Sequence, residues 1–469
     1  MTNHQFYAYL FMLLLFSNCN QAQDSRESQD WPQFLGPARN STSPEKGILR
    51  SWPEAGPEIL WTANVGIGYG GPVIGKGKVY LLDRNEDKGD IMRCFDLADG
   101  KELWQYGYDA PGSVMFPGSR SVPTLDGNYV YSVGGFGDLY CIDINTRQPV
   151  WHVNIWTDFG GDPGNGGGAD ASGGPGGFAP RGNFPIWAIS QCPLVYGDFV
   201  IVASQAPEAG VVAYNKLTGD VVWKTANLGN ETYVSPAIVK IDGEDHVVMI
   251  TSSTNPIGRP ELPKTPGNVT GIDPQTGKIF WNYSGWECHI SVASALDAGN
   301  NKILVVGGYE HGALMIQIEK SSDGSYLAKE LYKTVEFGDQ TKPPVLHNGY
   351  FYAQYGTNNR RDGMACMSMD GEVMWKTKRN PDFNKGSMIL VDGVLLATDW
   401  AKKLYVIEPD PAGFKALASA EVLTAPPAGE GMSGRFGTMN WAPIALSGGK
   451  LLIRDQSRVL CLKVADFNQ

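Results

Sequence analysis

Pro72-Val73-Ile74-Gly75-Lys76-Gly77-Lys78-Val79-Tyr80-Leu81-Leu82, followed by Cys94-Phe95-Asp96-Leu97, Asp99-Gly100-Lys101 and Glu102-Leu103-Trp104, is the stretch on which the fold turns. Two apolar or β-branched runs flank a glycine-containing turn, a variable loop leads to a third run, and a second tight turn precedes a strand that ends in tryptophan. That is the pattern of four short strands joined largely as hairpins. The unit returns along the chain, opening near Val122, Pro193, Pro236, Val292, Pro343, Ser387 and Pro443 and closing at Trp151, Trp223, Trp281, Tyr332 and Trp375. Successive closing residues Trp61, Trp104 and Trp151 stand roughly 45 residues apart, the period of a four-stranded propeller blade.

The two ends of the array are complementary. Ile59-Leu60-Trp61 reads as a closing strand with no strands of its own before it, and the last unit, Pro443 to Leu462, lacks a closing strand. A ring completed by its own first strand leaves no open sheet edge. The expected fold is therefore all-β, an eight-bladed β-propeller of four-stranded antiparallel blades closed by the N-terminal strand. The expected organisation is an export signal over 1–23, a lead-in over 24–58, and a single propeller over 59–469 with a Gly-rich insertion at 158–186.

The turn before the closing strand carries a resemblance. Asp273 to Trp281 reads Asp-x-x-Thr-Gly-x-x-x-Trp, Asn215 to Trp223 repeats it with Asn first, and Asp30-Trp31-Pro32-Gln33-Phe34-Leu35-Gly36-Pro37 has the form of an exported lead-in. The repeat is similar to the PQQ-like propeller repeat over nearly the whole chain after the signal. That resemblance implies the fold but not the activity, because it is shared by quinoprotein dehydrogenases and by the outer-membrane assembly lipoprotein BamB.

Composition narrows the compartment and the partners. The apolar run Phe6 to Phe16, followed by Ser17-Asn18-Cys19 and a polar stretch, has the layout of an export signal and is too short to span a bilayer, which takes roughly 20 residues. Cys19 stands where a lipoprotein signal places its acylated cysteine; ordinary cleavage after Gln21 to Gln23 is the alternative. A membrane partner is expected only through that lipid. The six further cysteines form no Cys-x-x-Cys, and four of them, Cys94, Cys141, Cys366 and Cys461, sit in strand-like runs as small hydrophobes. A formal charge of −11 argues against nucleic acid as a partner. A monomer is expected.

Within each unit the first and third connections are short turns such as Asp126-Gly127-Asn128 and Thr276-Gly277-Lys278, so the longer connections gather on the opposite face. The Gly-rich insertion is either a loose segment or a lid there. The long loops hold the candidate functional side chains. Arg120, Arg181, Trp187, Trp286, Lys342, Tyr355, Arg360, Trp400 and Arg435 are expected to bind an anionic ligand, the cations holding a carboxylate or sulfate and the rings stacking on sugars. His289 and His311, with Tyr309, have the acid and base groups for proton transfer, and Arg361 or Arg259 the charge to stabilise an enolate-like intermediate. His152 and His246 read as structural.

Three functions follow. The first is a periplasmic or surface lyase or dehydratase acting on uronate-containing oligosaccharides. The second is a non-catalytic BamB-like scaffold. The third, a quinone-dependent dehydrogenase, conflicts with the absence of the vicinal cysteine pair that the resemblance would require. No cofactor is expected, PQQ is disfavoured, and calcium is left open.

Overall fold

In a computed structural model of the chain, residues 30–112, 116–162, 184–185, 187–230, 232–254, 265–356, 361–424 and 439–466 are described. Eight sheets follow one another around an axis. Blade 1 runs Val73–Gly75, Lys78–Asn85, Gly89–Asp96 and Glu102–Asp109, and each later blade repeats this in-to-out meander. Blade 8 is made of Ala445–Ser447, Lys450–Arg454 and Arg458–Lys463, and its fourth strand is Ile59–Asn64, antiparallel to Arg458–Lys463 with Trp61 opposite Cys461. The ring is closed as the sequence implies. Among the described residues the one helical turn is the 3₁₀ segment Thr157–Phe159.

The recurring turn motif locks neighbouring blades. In Asp273 to Trp281 the Asp273 carboxylate accepts the Gln275 amide and the Thr276 hydroxyl, and Asn215 caps Leu217 and Thr218 the same way. Gly277 follows with φ of 74°, a conformation that favours glycine. A Cβ at that position would lie 2.6 Å from the Trp223 ring of the preceding blade, so glycine is also needed to seat the indole. Trp223 Nε1 then donates to the Pro274 carbonyl at 3.1 Å. Trp61 to Leu97, Trp151 to Lys216 and Trp375 to Asp410 repeat the bond across other blade pairs. The motif is thus an inter-blade clasp whose two halves lie a full period apart.

The blade interiors are packed with aliphatic residues, and Cys94, Cys141, Cys366 and Cys461 are fully buried within them as free thiols. His246 is buried too, its Nδ1 accepting Trp281 Nε1, and His152 pairs with Asp138, so both histidines brace the fold.

The face with the short turns is less plain than the sequence implies, because the lead-in crosses it. Asp30 caps Lys76 and Trp31 bridges Ile74 in blade 1; Pro32 accepts the Leu125 amide in blade 2; Thr42–Ser43 pair in parallel with Leu390 and Val391 of blade 7; and Ile48 bridges Ala465. On the way, the buried Arg39 guanidinium donates to the carbonyls of Pro193 and Pro236, at the openings of blades 3 and 4. Arg39 therefore bolts the lead-in into the axial channel, and neighbouring Phe34 becomes its floor.

Candidate functional site

The axial channel, closed below by Phe34, opens on the long-loop face as a cavity of about 510 Å³. Its wall comes mainly from the residues that precede each inner strand. Tyr69, Arg120, Ser190, Tyr233 and Gln340 all line it, and each stands three places before the proline that opens a unit, Pro72, Pro123, Pro193, Pro236 and Pro343. A loop entering the innermost strand turns inward as it descends, so this position faces the axis in blade after blade. The sequence holds that regularity, and reading loops by length alone passes over it.

Rings form much of the wall. Trp441 packs against Tyr69 with centroids 5.2 Å apart and against Phe116 at 5.7 Å, and Trp187 meets Tyr233 at 5.4 Å. Four cations are set among them, Arg120, Lys342, Arg361 and Lys385, and no carboxylate belongs to the described lining. The Arg120 guanidinium donates to the carbonyls of Trp187 and Phe116, each at 2.7 Å, and Arg361 pairs with Asp382 at 2.6 Å beside the Trp400 ring. The two amines differ from the guanidiniums. Lys342 Nζ donates to the Trp441 carbonyl at 2.8 Å, Lys385 Nζ reaches Asn384 Oδ1 at 3.3 Å, and neither has a carboxylate within ion-pair distance among the described residues.

Burial sets the protonation of this wall. It pushes Lys342 and Lys385 down to about 8, against the opposing pull of the Asp339 carboxylate. Burial also raises Asp339 to about 6, although Lys342 and the backbone amides of Thr341, Lys342 and Gln354 favour its charged form. The Tyr309 phenol is raised by burial as well, which keeps it protonated.

His289 and His311 come together: Nδ1 of the first lies 2.7 Å from Nε2 of the second, and the Tyr309 ring is 5.4 Å from His289. Of the three, Tyr309 reaches the cavity wall and the histidines stand beside it. Arg120, Trp187, Lys342, Arg361 and Trp400 also line the cavity as the sequence suggested. Trp286 does not, being buried with its Nε1 on Ser291 Oγ, and Tyr355 is fully buried away from the wall. Arg181, Arg259, Arg360, Arg435, Cys19 and most of the Gly-rich insertion lie outside the described residues. Phe34, Tyr69, Phe116, Tyr233, Asn384 and Trp441 are wall residues that the sequence reading did not single out.

The quinone and calcium that the repeat resemblance raises find a poor match here. Cys192 is the one cysteine on the described wall, no vicinal partner accompanies it in the sequence, and no carboxylate stands there to ligate a divalent ion. No group of three or more His, Cys, Asp or Glu able to hold a metal occurs among the described residues.

Comparison with solved structures finds the same ring. BamB from Moraxella catarrhalis superposes with a TM-score of 0.53 at 11% identity, covering 87% of this chain and 100% of that one. The quinohemoprotein alcohol dehydrogenase from Comamonas testosteroni gives 0.57 at 12% identity, covering 94% and 81%, and a europium-containing methanol dehydrogenase gives 0.53 at 14%, covering 93% and 90%. At such identities the likeness is one of fold. No curated protein matches the chain. A family model described as outer membrane protein assembly factor BamB matches residues 87–377. Spanning well over half of the sequence, that match shows that the chain belongs to this BamB family of propellers.

Proposed function

We propose that this chain is an exported protein that binds acidic oligosaccharides in its axial cavity and acts on their uronate units by elimination. The observation that carries the reading is the wall itself: four cations and no carboxylate among its described residues, in a chain of formal charge −11. Such an inversion of local charge favours an anion, and the surrounding indole and phenol rings offer flat faces for sugar rings. Lys342 Nζ spends its donors on Thr341 Oγ1 and the carbonyls of Lys385 and Trp441 and so offers an anion its charge, while Lys385 Nζ, bonded to Asn384 Oδ1 at 3.3 Å, keeps donor capacity.

Elimination beside a carboxylate needs positive charge to stabilise the intermediate, a base for the neighbouring C–H and an acid for the departing oxygen. Lys342 and Arg361 supply the charge. Lys385, brought to about 8, supplies the base in its neutral form, and Tyr309, kept protonated by burial, supplies the acid. His289 and His311 act as positioning residues behind Tyr309.

The test is titration calorimetry with uronate oligosaccharides together with the ultraviolet absorbance of an unsaturated uronate product. Binding that is lost in Lys342→Met, with product formed by wild type and not by Tyr309→Phe, supports the reading. Absence of binding to every uronate overturns it. A second reading, a scaffold without chemistry, is favoured by the family match and is the outcome if the chain binds without turnover and co-purifies with outer-membrane proteins.

A further inference from the structure

A second cavity of about 250 Å³ adjoins the first on the long-loop face, with Ser190 in the walls of both. Its chemistry is different, since no ionisable side chain is among its described lining residues. Three of its lining residues carry buried polar atoms without partners. Gln191 is 3% exposed, and both its carboxamide oxygen and nitrogen lack a hydrogen bond; the same holds for both atoms of the Gln205 carboxamide and for the Trp156 indole nitrogen. Buried polar atoms in folded proteins are nearly always paired, so five on residues that line one cavity call for an occupant toward which the carboxamides can turn.

The donor and acceptor count defines that occupant. Each carboxamide offers two N–H donors and an accepting oxygen, and the indole offers one donor. Hydroxyl groups both donate and accept, so a polyol satisfies this set, whereas an ion would find no countercharge among the described lining residues. A cavity of this volume, set against roughly 30 Å³ for each water, also exceeds what one or two waters fill.

We infer that this side cavity is a subsite for a neutral sugar unit linked to the acidic unit in the axial cavity, so that the preferred ligand alternates charged and uncharged sugars. The inference rests on the uronate reading above. It makes Gln191 and Gln205 specificity determinants rather than core residues, and it gives the chain a reason to prefer a disaccharide over its acidic half.

The experiment measures binding of three probes to the full-length protein: D-glucuronic acid, D-xylose, and the disaccharide in which glucuronic acid is linked to xylose. Wild type should bind the disaccharide at least about tenfold more tightly than glucuronic acid, the gain expected of two or more added hydrogen bonds. Gln191→Met and Gln205→Ala should each remove most of that gain and leave glucuronic acid binding unchanged. The second variant, at a less buried position, covers the case in which the first fails to fold. Equal affinity for the disaccharide and the acid, or a gain that survives both substitutions, overturns the subsite. Xylose alone separates the two readings: weak binding that is sensitive to Gln191→Met and indifferent to Lys342→Met upholds the subsite even where the uronate fails to bind.

Discussion

The Nδ1 of His289 and the Nε2 of His311 face each other at 2.7 Å, so one ring donates and the other accepts. Two imidazolium rings would bring two hydrogens into that contact, and His311, desolvated and next to His289, is held down to about 4.

The pair therefore makes the fold sensitive to acid. His311 ordinarily titrates near 6.5, and in the folded chain its pKa is depressed, so between 6.5 and about 4 the unfolded chain binds the additional proton. Stability should fall as pH drops through that window. Asp90 and Asp339, both raised to about 6, contribute with the opposite sign, which is why a difference measurement is needed. Denaturant unfolding at neutral pH and at about pH 5 should show a smaller loss in His311→Gln than in wild type; an equal loss would mean that the pair does not control this dependence.

Ligand binding should run the other way along the pH scale. Lys342 and Lys385 lose their protons near 8, so affinity for an acidic sugar should be greatest below that pH and decline above it. Lys342→Met should weaken binding about 10-fold to 100-fold, the worth of a buried positive charge beside the anion. Lys385→Arg, which keeps its charge at all accessible pH values, should flatten the decline. Calorimetric titrations with glucuronic acid on both sides of pH 8 decide this, and an affinity that rises with pH would exclude the amines as the anion holders.

Arg39 should prove more important to stability than its place in the lead-in implies. Its guanidinium joins Gln33 to the carbonyls of Pro193 and Pro236 inside the channel. Arg39→Met should cost about 2–4 kcal/mol, because two buried carbonyls lose a charged donor. Arg39→Lys should restore only part of it, since one ammonium cannot span the same pair. Chemical unfolding of the three proteins gives the comparison, and a cost below about 0.5 kcal/mol would show that the lead-in is not anchored there.

The turn that carries Tyr309 is strained. Tyr309 and Glu310 have φ of 54° and 67°, a hairpin geometry that normally selects Asn-Gly. Glu310 is exposed and is not among the residues lining the cavity, so Glu310→Gly should stabilise the chain by about 0.5–1 kcal/mol, the relief of the left-handed residue less the entropy of the added glycine. Thermal unfolding should register a modest rise in midpoint; a fall would show that the Glu310 side chain holds the turn.

The sequence alone determined the blades, their number and the closure of the ring. Those features are local or periodic: a two-residue alternation, a Thr-Gly turn and a tryptophan return at a fixed spacing, and each Trp-to-Gly clasp, such as Trp223 on Gly277, repeats the same short grammar. Some of the site was legible for the same reason, because Arg120 and Lys342 sit in long connections, which the alternation with short turns sends to one face.

Only the tertiary structure decided which loop residues share a wall. Trp286 and Tyr355 look like the other rim aromatics in sequence, yet both are buried off the cavity wall, and Tyr309 reaches the cavity while its companions His289 and His311 stop beside it. The lead-in behaves likewise, since nothing local tells that Phe34 will floor the channel or that Arg39 will reach blades 3 and 4. The direction of a loop side chain depends on how eight twisted sheets converge on one axis, and that convergence exists only once the first strand has closed the ring.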